Sequence, residues 1–183
     1  EEMPHCGAVV QTSEAERVRR LIKFLTGTVE SRRKALKQAR VPDMAGLRER
    51  PGADYPAIIV VIEDYPGFKA EYMELVDTLN RLAGSGKSVD IHLVFGGASL
   101  TGFHKTLQDN LRNRLALGGA DLFEVHNRRG VPLPEIKGRG YVIAEPEMLV
   151  YQIAAPARHL GIQPESGPAT EEIRSIARLM DAS

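Results

Sequence analysis

"AIIVVIEDYPGFKAEYMELVDTLNRLAGSGKSVDIHLVF", residues 57–95, decides the fold class. Its first six residues, Ala57–Ile62, carry no polar side chain, and two acids, Glu63 and Asp64, follow them. A run of this kind predicts a strand buried on both faces, as strands of parallel sheets are. Pro66-Gly67 then turns the chain toward a helix over 69–83, because Tyr72, Leu75, Val76, Leu79 and Leu82 recur at spacings of three and four. "VDIHLVF" is short, apolar and bounded by turn residues, which predicts a second strand. Strand, helix, strand is the repeating unit of an α/β domain with a mainly parallel sheet.

The same stretch contains Gly84-Ser85-Gly86-Lys87-Ser88, which imitates a phosphate-binding loop. The full pattern, G-x-x-x-x-G-K-S/T, needs a glycine where Arg81 stands. It also needs a strand before it and a helix after it, so that helical N–H groups face the anion. Here a helix precedes and a strand follows. The glycines are therefore read as the end of a helix, where a glycine cap and a lysine are ordinary.

Upstream, "CGAVVQT" (6–12) reads as a short buried strand, and Ser13 with Glu16 has the spacing of a capping box opening a long helix to about Arg40. Val18, Leu21, Ile22, Leu25 and Val29 share one face of it. Between Arg17 and Arg40 stand nine Lys/Arg (17, 19, 20, 23, 32, 33, 34, 37, 40) and one acid, Glu30. This is either a solvated face balanced elsewhere or a surface for an acidic partner or a phosphate backbone. Pro42 breaks the helix, Asp43 caps a short one through Arg48, and "PGADYP" is a loop. Downstream, "GGASLTG" is a loop, "RLALGG" and "DLFEV" are strand material, and "RRGVPLPEIKGRG" is a loop. "YVIA" and "MLVYQIA" pair as a late antiparallel hairpin at the sheet edge, and Thr170–Met180 forms a last amphipathic helix with Ile173, Ile176, Ala177 and Met180 on one face.

The 183 residues predict one domain, 1–183. Lys+Arg and Asp+Glu both number 24, so the chain as a whole has no electrostatic pull toward nucleic acid or anionic membrane. The lone Cys6 excludes an internal disulfide and reads as a small apolar residue. No apolar run approaches the ~20 residues of a membrane span, and no signal-peptide pattern stands at "EEMPH". His5, His104, His126 and His159 show no metal-ligand spacing, and His92 reads as a structural histidine in mid-strand.

In open α/β sheets ligands bind beyond the carboxyl ends of the strands. Two ends stand out: Glu63-Asp64 after "AIIVVI", and Gly96-Gly97-Ala98-Ser99 after "IHLVF". An apolar strand ending in two acids suits phosphoryl transfer, the first holding Mg²⁺ and the second orienting the attacking water. The bland alternative is that both acids begin a surface loop.

The order of these segments resembles the second half of the FtsK/SpoIIIE motor ATPases. Val60–Asp64 matches their Walker B strand, Gly86–Leu93 their "G-R-S/A-x-G-hydrophobic-H-L" turn, Leu107–Ala116 their "I-x-x-N-x-x-x-R-I-A" segment, and 137–141 their "G-x-G-R-G" loop. The opening "PHCGAVVQT", the long helix and "VPDMAGL" are similar to the EccC/EssC branch, the membrane-anchored motors of type VII secretion. The resemblance implies a RecA-like P-loop core, ATP and Mg²⁺ in the intact protein, a cytoplasmic location on an inner or plasma membrane anchor, neighbouring ATPase modules, secreted substrate proteins and a hexameric assembly. It implies a phosphate loop and a first core strand upstream of "PHCGAVV", which this sequence does not contain.

This sequence also departs from the pattern. The acids are swapped: Glu63 stands at the Mg²⁺-side aspartate, and Asp64 at the catalytic glutamate. The Thr-Gln sensor falls on Gly97 and Ala98, and a following arginine on Ser99. Arg114 matches the family arginine after Asn110, which either reaches a nucleotide across a subunit boundary or pairs within the fold. These changes point to a later, degenerate module with a structural, regulatory or substrate-docking role. The alternative is part of an active double-stranded DNA translocase, the one reading that brings in nucleic acid.

Overall fold

The computed structural model describes residues 3–117, 120, 136, 138–144 and 147–153. The run 121–125, the loop residues 128–135 and 137, and the helix expected over Thr170–Met180 lie outside them.

The central unit is strand, helix, strand. Strand β1 (Ile58–Ile62) pairs in parallel with β2 (Ile91–Phe95), Ile58 opposite Ile91 and Ile62 opposite Phe95. The crossover between them is not one helix. Helix α3 (Tyr65–Glu71) starts earlier than expected, with Pro66 and Gly67 inside its first turn. A 3-10 turn (Met73–Leu75) separates it from α4 (Val76–Ser85), and a second 3-10 turn (Gly86–Val89) leads into β2. The break follows Tyr72, whose backbone leaves the helix and whose hydroxyl donates to the Thr12 carbonyl. Gly86 is the C-cap residue of α4, as expected, but it is right-handed; Asp90 takes the left-handed position after the 3-10 turn, at φ 55°. Gly86 serves packing: a Cβ there would stand 2.8 Å from the Ile91 carbonyl oxygen.

Helix α1 (Ala15–Ala39) lays Val18, Ile22, Leu25 and Val29 on one core with Leu79, Leu82, Val89 and Ile91. Each such side chain contributes roughly 1.5–3 kcal/mol when fully buried. No capping box forms. Ser13 lies outside the helix, Glu14 is the N-cap residue, and Glu16 turns to Arg20. Glu14 instead accepts from the Gln11 N–H at 2.8 Å and meets Arg17 at 2.6 Å. Arg40, left-handed at φ 54°, ends the helix with its N–H on Leu36 and Lys37. Helix α2 (Met44–Arg48) is capped as expected, Asp43 accepting from Gly46 N–H at 2.9 Å.

The segment 6–12 is not a strand. A strand needs a neighbour for its backbone groups. Here side chains take the carbonyls: Arg17 bonds Val9 O at 3.2 Å, and Tyr72 bonds Thr12 O. Nor is β1 buried on both faces. Ile58, Val60 and Ile62 pack on the core, while Ile59 and Val61 are 68% and 66% exposed. Helices α1 and α4 cover one face only.

The late hairpin forms from β4 (Arg139–Ala144) and β5 (Glu147–Gln152), but not at the edge of the parallel sheet. It joins β3 (Asn113–Leu117), which follows helix α5 (Lys105–Asn110), in a separate antiparallel sheet of order β3-β4-β5. Ala116, Tyr141 and Ile143 make a small core of its own.

Candidate functional site

The carboxyl ends of β1 and β2 lie side by side. Gly96 N–H donates to Ile62 O at 2.8 Å, and Tyr65 N–H donates to Gly96 O at 3.0 Å. These bonds carry the pairing past the last ladder residues. The approach demands glycine, since a Cβ on Gly96 would stand 2.3 Å from the Glu63 carbonyl oxygen.

The two acids have different fates. Glu63 is exposed, and no side-chain hydrogen bond or ion pair holds it among the described residues. Asp64 is the N-cap residue of α3, accepting from Gly67 N–H at 3.2 Å. A Cβ on Gly67 would stand 2.2 Å from Asp64 Oδ2, so Gly67 makes room for that carboxylate.

Opposite them, Gly97 and Ala98 are exposed and offer backbone only. Gly97 sits against Phe103 and Pro66, where a Cβ would come within 2.8 Å of the Phe103 ring. Ser99 caps the 3-10 turn Leu100–Gly102, accepting from Thr101 N–H at 3.1 Å. The floor is aromatic. Tyr65 is fully buried against Phe95 (5.4 Å between centroids, edge-on) and Phe103 (4.9 Å). Its hydroxyl is buried and makes no hydrogen bond of good geometry among the described residues, the nearest candidate being the His104 backbone, and burial raises its pKa. Arg114, half-buried, donates to Leu111 O at 3.4 Å and Gln108 O at 3.3 Å, which ties β3 to the end of α5. His92 lies on the exposed face of the sheet, 3.9 Å from Asp90, too far for a hydrogen bond.

Sequence reading missed Arg32. It belongs to the basic run yet is buried, donating to Val89 O at 2.8 Å, Asp90 O at 3.3 Å and Pro56 O at 2.6 Å. It gathers the entries of both strands onto α1. Burial first, then Arg48, lowers its pKa, against the pull of Asp90 and Tyr55. The signal was available: position 32 continues the 18-22-25-29 stripe.

These residues do not by themselves fit Mg-ATP. Of the two carboxylates at the end of β1, one is engaged as a helix cap. Gly97 and Ala98 have no polar side chain, and no group of three His, Cys, Asp or Glu side chains is gathered for a metal among the described residues.

A P-loop ATPase fold is what this arrangement of parallel sheet, flanking helices and antiparallel hairpin shares with solved proteins. Within that class, the chain's homologues are EccC and EssC, the ATPases of type VII secretion. No family model matches the chain. It is 26% identical over 148 residues to the ESX secretion system protein EccC of Thermomonospora curvata, across 76% of this chain and 11% of that protein. Its fold matches EssC (ATPases 2 and 3) of Geobacillus thermodenitrificans with TM-score 0.80 at 20% identity, across 99% of this chain and 34% of that one. It also matches EccC (ATPases 2 and 3) of Thermomonospora curvata, solved in complex with a signal sequence peptide, with TM-score 0.76 at 22% identity, across 97% and 33%. This chain thus spans about a ninth of that curated relative and a third of each solved chain. No helix among the described residues is long and apolar enough to cross a membrane.

Proposed function

We propose that this chain is the C-terminal portion of a degenerate, non-hydrolysing ATPase module in a membrane-anchored type VII secretion motor. Its role is structural, regulatory or substrate-docking, on the cytoplasmic side, beside other ATPase modules and in a hexamer in the intact assembly. The observation that carries the reading is the Asp64 cap: the acid at the catalytic position is turned to Gly67 N–H. The side-chain-free Gly97 and Ala98 support it. A carboxylate misplaced by about 1 Å can cost a hundredfold in rate. ATP and Mg²⁺ binding is retained in the intact protein where an upstream phosphate loop completes the module. Among the described residues, the outer edges of β2 and β3 have no ladder partner.

Titration calorimetry of Mg-ATP into the intact module, beside a turnover assay, tests this. Turnover near 1 s⁻¹ or above, an ordinary enzyme rate, overturns the non-hydrolysing reading. Titration of a secreted substrate protein into the 183-residue chain tests the docking role. The DNA-translocase alternative drew on the basic helix. Four of its nine cations are already engaged: Arg17 with Glu14, Arg19 with Glu74, Arg20 with Glu16, and Arg32 in the core. Salt-dependent binding of duplex DNA would revive it.

A further inference from the structure

Strand β5 is the outermost strand of the antiparallel sheet, with β4 on one side and no second ladder partner among the described residues. Its pairing with β4 fixes which backbone groups face outward. Ile153 N–H donates to Gly138 O at 2.9 Å, one step beyond the Arg139–Gln152 pair. Hydrogen-bonded and non-hydrogen-bonded pairs alternate along an antiparallel ladder. Glu147, Leu149 and Tyr151 therefore turn their N–H and C=O groups to β4, and Met148, Val150 and Gln152 turn theirs to the open edge. The Gln152 side chain is held back toward β4 by Arg139 at 3.2 Å, clear of that edge. Soluble proteins blunt open edges with lysine, proline, bulges or a covering segment. Residues 148–151, Met-Leu-Val-Tyr, carry no charge and no proline, and the register runs unbroken from Glu147 to Gln152. Leu149 and Val150 are 60% and 58% exposed.

We propose that β5 pairs edge to edge with β5 of a second copy of this chain, antiparallel, about a two-fold axis at Val150. Val150 then stands opposite Val150 of the second copy, and Met148 opposite Gln152 of the second copy. These are the outward-facing residues of each strand, so about six backbone hydrogen bonds form and no edge group of the three is left over. Leu149 meets Tyr151 of the second copy on one face, and the two Val150 side chains meet on the other. Apolar cross-strand neighbours of this kind stabilise a sheet. Self-complementarity selects the occupant. No charge opposes a like charge in this register, since Glu147 faces Ile153 of the second copy. A foreign strand added to an edge is chosen by pockets for its alternate side chains, whereas Leu149 and Val150 project from the surface and line none. An isologous contact closes on itself at two copies. It therefore adds a two-fold contact to a hexamer and does not build the ring. The inference goes beyond the proposed function and does not rest on it.

The test uses the whole 183-residue chain. Sedimentation equilibrium from about 10 μM to about 1 mM is expected to show monomers passing to dimers, a weak association in keeping with the small area of one strand pair. Over the same range, amide hydrogen exchange followed by NMR is expected to slow at least threefold at Met148, Val150 and Gln152. Val150→Lys and Val150→Glu each set two like charges face to face across the axis, and each is expected to weaken dimerisation at least tenfold. Mixed in equal amounts, the two variants place lysine opposite glutamate, and association is expected to return. Val150 is exposed, and circular dichroism melts verify that both variants fold. A chain that stays monomeric throughout the range, or association unchanged in both variants, would overturn the proposal. So would a mixture no more associated than either variant alone, or exchange at 148, 150 and 152 that concentration does not slow.

Discussion

The Asp64 carboxylate accepts the backbone N–H of Gly67 at 3.2 Å, and a Cβ on Gly67 would collide with it at 2.2 Å. One residue spends its charge on a helix end, and the other is kept bare to allow it. Losing an aspartate N-cap costs about 0.5–2 kcal/mol. Asp64→Ala is therefore expected to lower stability by about 1 kcal/mol in urea denaturation. Nucleotide turnover by the intact module is expected to stay where it was. A tenfold or greater fall in turnover would show that Asp64 acts in catalysis.

Gly97 against Phe103 sets a second expectation. Threonine at Gly97, the side chain of the family sensor, drives its Cβ to within 2.8 Å of the Phe103 ring. Overpacking of this kind costs roughly 1–3 kcal/mol. Gly97→Thr is expected to lower the melting temperature and perturb the Tyr65–Phe103 contact, seen as a change in near-ultraviolet circular dichroism. An unchanged spectrum and melt would mean that the loop yields freely.

Arg32 binds three carbonyls from inside the core. Arg32→Ala strands these acceptors and leaves a void beneath the strand entries. We expect a loss of about 2–4 kcal/mol, given about 1–3 kcal/mol for each buried group left unsatisfied. Arg33→Ala, one residue on and exposed, is the control and should stay within about 0.5 kcal/mol. Equal effects of the two would remove the clamp.

Glu14 has a lowered pKa, first from the Gln11 N–H and then from Arg17. A depressed carboxylate contributes stability that is fully present above its unfolded value, about 4.3, and is lost as pH falls through the lowered folded value. The start of α1 should therefore loosen below about pH 4 and hold at neutral pH. The amide shift of Gln11 followed by NMR reports this directly. In Glu14→Gln that low-pH step should vanish.

How much of this was legible beforehand differs by element. The β1–crossover–β2 unit was readable because apolar runs and a three-and-four periodicity are local signals. The Asp43 cap, the Pro42 break and the late hairpin were readable for the same reason. The break at Tyr72 was not, because it rests on a bond to Thr12, sixty residues away in sequence. The "CGAVVQT" strand failed because propensity supplies no partner strand. The candidate site residues Glu63, Asp64, Gly97, Ala98 and Arg114 are nominated by spacing and resemblance alone. What each side chain touches could not be read that way.

By itself, the sequence determined the α/β alternation, the family likeness and the two strand ends where a site would lie. Those follow from periodicity and residue order, which neighbours in the chain set between them. Tertiary structure alone decided that Asp64 faces Gly67, that Arg32 leaves the basic surface for the core, and that β1 keeps one apolar face open. Each depends on which distant backbone group or side chain arrives within a few ångströms, and hydrogen bonding and close packing act only at that range.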